Sequence, residues 1–303
     1  MYRVGRAPRA RWDVRETGAD TGPGTRWPMA IFNGNYPADI YQAAGEASSI
    51  TDLADSVGLL CIQGQKFIGA SGLTPTTSQK YFSQPHYPEG LKGARLCDAL
   101  ADEPAVWMIG TGWIYSRSQI ATAGHNVISL LEEVDGAKVS DLRFVTGYYR
   151  KSSSRSAFTY KVYKIKAREM TDNDTAVLTI EGFFETKQVL DQVTKTEAAT
   201  VANGDLIQML GHPLGQPLKY TEGKVAAANP HRDRSTFDTW LSGVSGNSGS
   251  PVFWKGKVLG IFTGGGWLNE FSLDLKAGGY NHATYDNSNI DHSGTVAYVP
   301  AMG

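Results

Sequence analysis

The sequence predicts an all-β protein, a barrel or sandwich, preceded by an N-terminal extension. Three observations carry that reading. From Ala105 onward, short apolar runs alternate with turn signals at the spacing of strands. Glycine is abundant, 34 of 303 residues, and supplies the positive-φ positions that tight turns require. Stretches with a helical period are few, which leaves many short strands as the main element.

Residues 1–27 are rich in Arg, Gly, Pro and Thr, with Thr21-Gly22-Pro23-Gly24-Thr25 as a loop signal. Arg3, Arg6, Arg9, Arg11 and Arg15 have no apolar run behind them, whereas a secretory signal needs a run of about 7–15 residues. This start reads as a solvated arm, and a cytoplasmic location follows by default, a secreted one if a leader precedes the sequence. Ser56–Gly64 has the composition of a buried strand, and the prolines at 75, 85 and 88 mark a loop. Residues 1–95 are therefore set apart as an extension: a prosegment, an accessory region or a wrapping arm. Beyond it the expected strands are Val106–Ile109 and Gly112–Ser116 as a hairpin, then Ser118–Ala123, Leu142–Thr146, Phe158–Lys166 and Ala176–Ile180. Leu206–Leu210, Gly223–Ala227, Thr236–Leu241, Pro251–Trp254, Lys257–Thr263 and Thr295–Val299 complete the series.

Apolar residues make up 41% and charged ones 19%, with a formal net charge of −1. That balance fits a globular protein and offers neither nucleic acid nor a membrane surface an electrostatic footing. No stretch reaches the ~20 apolar residues that span a bilayer. The only cysteines are Cys61 and Cys97, compatible with one disulfide or with two buried thiols.

The chemistry concentrates in Gly246-Asn247-Ser248-Gly249-Ser250-Pro251. Glycines on both sides of Ser248 permit a sharp turn and close approach of a substrate. In such a turn the amides of Gly246 and Ser248 can converge as an oxyanion hole. A serine hydroxyl needs a neighbouring base. Of six histidines, only His125 closes a strand-like run, through Thr122-Ala123-Gly124. A carboxylate must then hold the imidazole. Asp174 leads directly into the apolar run Thr175-Ala176-Val177-Leu178, with Asp172 as its neighbouring competitor. The order His, Asp, Ser, each at a strand end, makes His125, Asp174 and Ser248 a candidate catalytic set.

These motifs resemble the chymotrypsin/trypsin-like serine protease superfamily, and within it the bacterial glutamyl-endopeptidase branch. The similarity rests on Gly110-Thr111-Gly112-Trp113-Ile114, Thr122-Ala123-Gly124-His125, Asp174-Thr175-Ala176-Val177-Leu178, Gly211-His212-Pro213, Gly246 to Pro251, and Gly260-Ile261-Phe262-Thr263-Gly264-Gly265, in the family's order. It implies two six-stranded antiparallel β-barrels with the active site between them, placed at 96–190 and 191–303. It also implies a serine endopeptidase acting on protein or peptide substrates without metal or organic cofactor. The alternatives are a catalytically silent module that binds peptides, or a protease acting mainly on its own N-terminal extension. Substrate binding is expected at Ser242, Phe262, Thr263, Gly264 and Gly265. Asn247 stands where trypsin-like zymogens carry an aspartate, which argues against activation through that ion pair. Ser242 at the pocket base and Phe262, where glutamyl specialists use histidine, point to a neutral or apolar residue before the cut. His231 and Arg234 are the loop groups able to change that preference. The long loop Trp267–Ser293 reads as solvated or substrate-facing rather than as a metal site.

Overall fold

Strands buried on both faces dominate the first half of the fold, and the rest of the architecture follows from how they close. The computed structural model describes residues 38–44, 48–63, 68–69, 72–73, 76–77, 103–106, 110–133, 136–153, 158–171, 174–228, 236–241, 243, 246–265 and 294–298. In chain order the strands open with β1 (Ala38–Asp39) and β2 (Val57–Ile62), then the minimal pairs β3 (Ile68–Gly69) with β4 (Gly72–Leu73) and β5 (Thr76–Thr77) with β6 (Pro104–Ala105). The longer strands follow: β7 (Gly110–Ser116), β8 (Gln119–Ala123), β9 (Leu142–Thr146), β10 (Lys161–Thr171) and β11 (Thr175–Ile180). Last come β12 (Leu206–Gly211), β13 (Lys219–Ala227), β14 (Thr236–Thr239), β15 (Pro251–Trp254), β16 (Lys257–Gly265) and β17 (Gly294–Tyr298).

The protein is all-β in its framework, as expected, and antiparallel throughout these ladders. A first closed barrel runs β10-β11-β8-β7-β2-β9. Its interior is filled by every second residue of the contributing strands: Leu60 and Ile62 from β2, Ala176, Leu178 and Ile180 from β11, with Ile114, Ile120, Phe144 and Ile165. Fully burying one such aliphatic or aromatic side chain stabilises the fold by about 1.5–3 kcal/mol. In the second half, β13 pairs β12, β12 pairs β15, β15 pairs β16, β16 pairs β17, β17 pairs β14, and β14 returns to β13, a six-strand circuit. Ile207, Met209, Val225, Phe237, Val252, Trp254, Leu259 and Phe262 fill it.

β2 lies inside the stretch that the sequence sets apart as an extension, yet it is a stave of the first barrel between β7 and β9. All six of its residues are buried, because one face lines the barrel and the other packs on Val106, Val145 and Tyr148. Cys61, on that outer face, is a free thiol, and burial pushes its pKa up to about 12. Cys97 lies outside the described residues, as do Trp107–Ile109 of the expected first hairpin.

Between the barrels, Val57, Trp113 and Ala121 from the first meet Leu210, Phe253, Val258 and Ile261 from the second, with Ile40 and Ile50 from the N-terminal segment packed into the same seam. β1 adds to the edge of β13, pairing Asp39 with Lys219. There the side chains form a buried ionic quartet. Lys219 Nζ lies 2.6 Å from Asp39 and 3.2 Å from Glu103, and Arg150 lies 3.1 Å from Glu103 and 3.7 Å from Asp39. Two acids balance two bases, the condition under which buried charge is tolerated.

Several strands differ from expectation at their ends. β10 starts at Lys161 and runs to Thr171 rather than spanning Phe158–Lys166, because Phe158 turns its ring edge-on against Tyr148 at 4.6 Å and leaves the ladder. β13 begins at Lys219, four residues before the expected start, where the quartet holds its first residue. His125 does not end a strand: it is the second residue of a helix, Gly124–Glu133, that starts where β8 stops. No helix among the described residues is long and apolar enough to cross a membrane.

Candidate active site

β8 and β11 are neighbours in the first barrel, in a register that sets Ala123 opposite Thr175. The chain therefore carries Gly124 and Asp174, one step beyond that pair, to the same rim. The Gly124 amide donates to the Asp174 carbonyl at 2.8 Å. Asp174 holds φ at +54°, a left-handed conformation that aspartate accepts more readily than most residues. In that conformation its carboxylate addresses His125 twice. Oδ1 accepts from the His125 backbone amide at 2.7 Å, and Oδ2 lies 2.7 Å from Nδ1. A carboxylate can only accept, so Nδ1 carries the proton and the neutral ring presents Nε2 as a base. Both side chains are half exposed, at the open rim rather than in the core.

The serine loop belongs to the second barrel but is fastened to the first. The Ser248 carbonyl accepts from the Thr111 amide at 2.8 Å and from the Asn126 side chain at 2.8 Å. Asn126 is the residue that follows His125. Thr111 Oγ1 donates to the Gly246 carbonyl at 2.8 Å and accepts from the His212 amide at 3.0 Å. On the far side, the Gly249 amide donates to Phe262 O and the Phe262 amide to Ser250 O, at 2.7 and 2.9 Å. Gly246 and Gly249 sit at φ +98° and +91°, and a Cβ on Gly249 would run into the Thr111 carbonyl and the Thr122 hydroxyl. Glycine is the residue that allows this loop to press against β7 and β8. Among the described residues, the amides of Gly246 and Ser248 have no backbone acceptor.

The fold thus gathers His125, Asp174, Gly246 and Ser248 at one junction. The Phe262 side chain is buried in the second barrel with its ring against Gly243, and its backbone anchors the serine loop. Thr263 is half-buried beside it, and Gly264 and Gly265 continue β16. Ser242, Asp172, His231, Arg234 and the loop 267–293 lie outside the described residues.

Sequence reasoning missed Thr111, Thr122 and Asn126, the polar seam joining the barrels. It missed too the role of His212, whose ring is buried with Nδ1 2.9 Å from the Gln216 carbonyl and stacks 6.0 Å from Tyr148. Burial pulls its pKa down to about 4, so it stays neutral at about pH 7. The available signal was glycine at 110 and 211. A Cβ at Gly110 would strike the Asn126 amide, and one at Gly211 would strike the side chains of Asn247 and Ser250.

A family model described as trypsin-like peptidase domain matches residues 110–261. No curated protein matches the chain. Among solved structures, the Rv3671c protease from M. tuberculosis in its active form is similar at 14% identity and a TM-score of 0.47, with 94% of this chain and 91% of that chain covered. An inactive form of the same M. tuberculosis protein, a serine-to-alanine mutant, gives 13% identity and 0.47 over 88% of this chain and 93% of that chain. Deg5 gives 17% identity and 0.44 over 72% and 85%. The matched family segment contains His125, Asp174 and the serine loop and takes up half of the sequence, and by it the chain belongs to the trypsin-like peptidase domain family.

Proposed function

We propose that the protein is a serine endopeptidase that cleaves protein or peptide substrates through an acyl-enzyme on Ser248. The observation that carries this reading is the pair of contacts converging on one rim: Asp174 held 2.7 Å from His125 Nδ1, and the Ser248 carbonyl held 2.8 Å from the side chain next in the chain to His125. In this reading His125 Nε2 takes the proton of the Ser248 hydroxyl as its oxygen attacks the scissile carbonyl. The oxyanion of the tetrahedral intermediate accepts from the Gly246 and Ser248 amides. His125 then protonates the leaving amine, and water repeats the sequence on the ester, returning Ser248 to its free form. The protease domain in this proposal takes in β2 and begins upstream of residue 96, because the first barrel does not close without that strand.

The likeness of Gly246–Pro251 to the glutamyl-endopeptidase motif is kept here without glutamyl specificity. Phe262 stands where glutamyl specialists carry histidine and offers no donor for a substrate carboxylate, so a neutral or apolar residue is proposed before the cut. Ser242, Thr263, Gly264 and Gly265 complete the proposed substrate wall.

Labelling with a fluorophosphonate tests the reading. The intact protein is expected to react once, at Ser248, and Ser248→Ala and His125→Ala are expected to abolish the reaction. Peptide-library turnover is expected to fall by about 10⁶-fold in Ser248→Ala. A folded wild-type protein that never labels at any pH and cleaves no library peptide would make it a silent binding module instead.

A further inference from the structure

Asn126 has no part in the acyl-transfer chemistry above, yet it is buried, 2% exposed, among the contacts that tie the serine loop to the first barrel. Its Nδ2 donates to two acceptors at once, Thr122 Oγ1 at 3.0 Å and the Ser248 carbonyl at 2.8 Å. The surrounding chemistry fixes which way the amide faces. A backbone carbonyl can only accept, and the Thr122 hydroxyl already gives its proton to the Thr111 carbonyl at 2.7 Å, so the atom facing both must be the NH₂ group. With the Thr111 amide as the second donor, both lone pairs of the Ser248 carbonyl are taken by the first barrel. Gly110 is shaped to this arrangement, since a side chain there would occupy the space of the Asn126 amide. Asn126 follows the base directly in the chain, and its acceptor belongs to the same residue as the nucleophilic oxygen.

We propose that Asn126 is a positioning residue. Its side-chain amide clamps the backbone of the nucleophile to the backbone of the base and so sets the hydroxyl-to-imidazole distance. The inference rests on Ser248 and His125 being the reacting pair. Reaction rates are steep in such placements, and a shift of about 1 Å costs about a hundredfold.

The test uses the full chain and three variants. Asn126→Asp keeps the volume but turns a donor into an acceptor facing acceptors. Asn126→Ala removes the clamp, and Asn126→Ser keeps a single donor. Each is assayed for fluorophosphonate labelling rate and for kcat and KM on a cleaved peptide, at a temperature where circular dichroism shows it folded. The downfield proton resonance of His125 Nδ1–H is followed in parallel. Asn126→Ala and Asn126→Asp are expected to lose about a hundredfold in kcat and in labelling, with KM within about twofold and the His125–Asp174 resonance retained. Asn126→Ser is expected to recover part of the loss. Wild-type labelling rates in a folded Asn126→Ala or Asn126→Asp protein would overturn the clamp while leaving the endopeptidase reading intact, and so would Asn126→Ser no better than Asn126→Ala. Failure of the wild-type protein to label would sink both.

Discussion

Two assemblies in this molecule use carboxylates as hydrogen-bond acceptors to opposite ends. At the rim, His125 and Asp174 meet at 2.7 Å with 41% and 44% of their side chains exposed. At the junction of the N-terminal segment with β13, Asp39, Glu103, Arg150 and Lys219 form a quartet whose members are at most 13% exposed. Exposed pairs add little stability, because water screens them and holding two side chains has an entropy cost. The rim pair therefore fixes an imidazole in place rather than the fold. Charges out of water behave differently: their desolvation is offset only while every partner is present, and removing one leaves the others uncompensated. The buried side carries further polar groups in the same state. Tyr148 has its pKa raised by burial and by Glu103, and His212 is kept neutral beneath it. The candidate catalytic pair sits where water enters, and cohesion between segments lies where it does not.

Replacing Asp174 gives the largest separation of the two. Asp174→Asn should lower kcat by about 10⁴-fold, the usual consequence of losing the correct tautomer, with the urea midpoint almost unmoved. A midpoint that falls with kcat would break the distinction. Lys219→Met should do the reverse, destabilising by about 3–5 kcal/mol in urea because the buried quartet loses one of its two cations and its charges no longer balance. Replacing all four quartet residues by apolar ones of similar volume should cost much less, and an equal loss would show that packing, not charge, governs the site.

Acidity sharpens the comparison further. A histidine whose folded pKa lies below its unfolded one gives stability that is complete above about pH 6.5 and is lost as pH falls toward 4, because the unfolded chain binds the proton first. For His212 the loss is on the order of 3 kcal/mol. Urea midpoints measured between pH 7 and 4 should show it, and His212→Gln should flatten that slope. The smallest effect concerns Cys61. With its pKa pushed up to about 12 and no exposure, it should resist iodoacetamide in the native protein and react only once denaturant opens the barrel, as peptide mapping would record. Cys61→Ala should cost about 1 kcal/mol in the urea midpoint.

How much of this was legible in advance depended on whether the signal was local. β9 and β15 coincide with their expected spans, Leu142–Thr146 and Pro251–Trp254, because each is a run of buried residues between clear turns. The run through β2 was visible too, but its membership of the barrel was not: its partners β7 and β9 begin some fifty and eighty residues further along the chain. The helix that carries His125 was hidden behind a strand whose apolar run leads straight into it. At the candidate site, the residue types and their order were readable. The double grip of Asp174 on His125 was not, since it depends on a left-handed backbone at Asp174 and on the register of β8 with β11.

The sequence by itself determined the all-β class, the glycine-flanked serine and the His, Asp, Ser order, because periodicity, turn chemistry and residue type act over a few neighbouring positions. Only the tertiary structure decided that residues near 39 and near 57 pair with strands of the two barrels, that Phe262 packs inward, and that Thr111 on β7 and Asn126 on the histidine's helix bind the serine loop. Those are contacts between segments far apart in the chain, made by short hydrogen bonds and shape, and nothing in the local order of residues encodes which distant backbone a buried amide will meet.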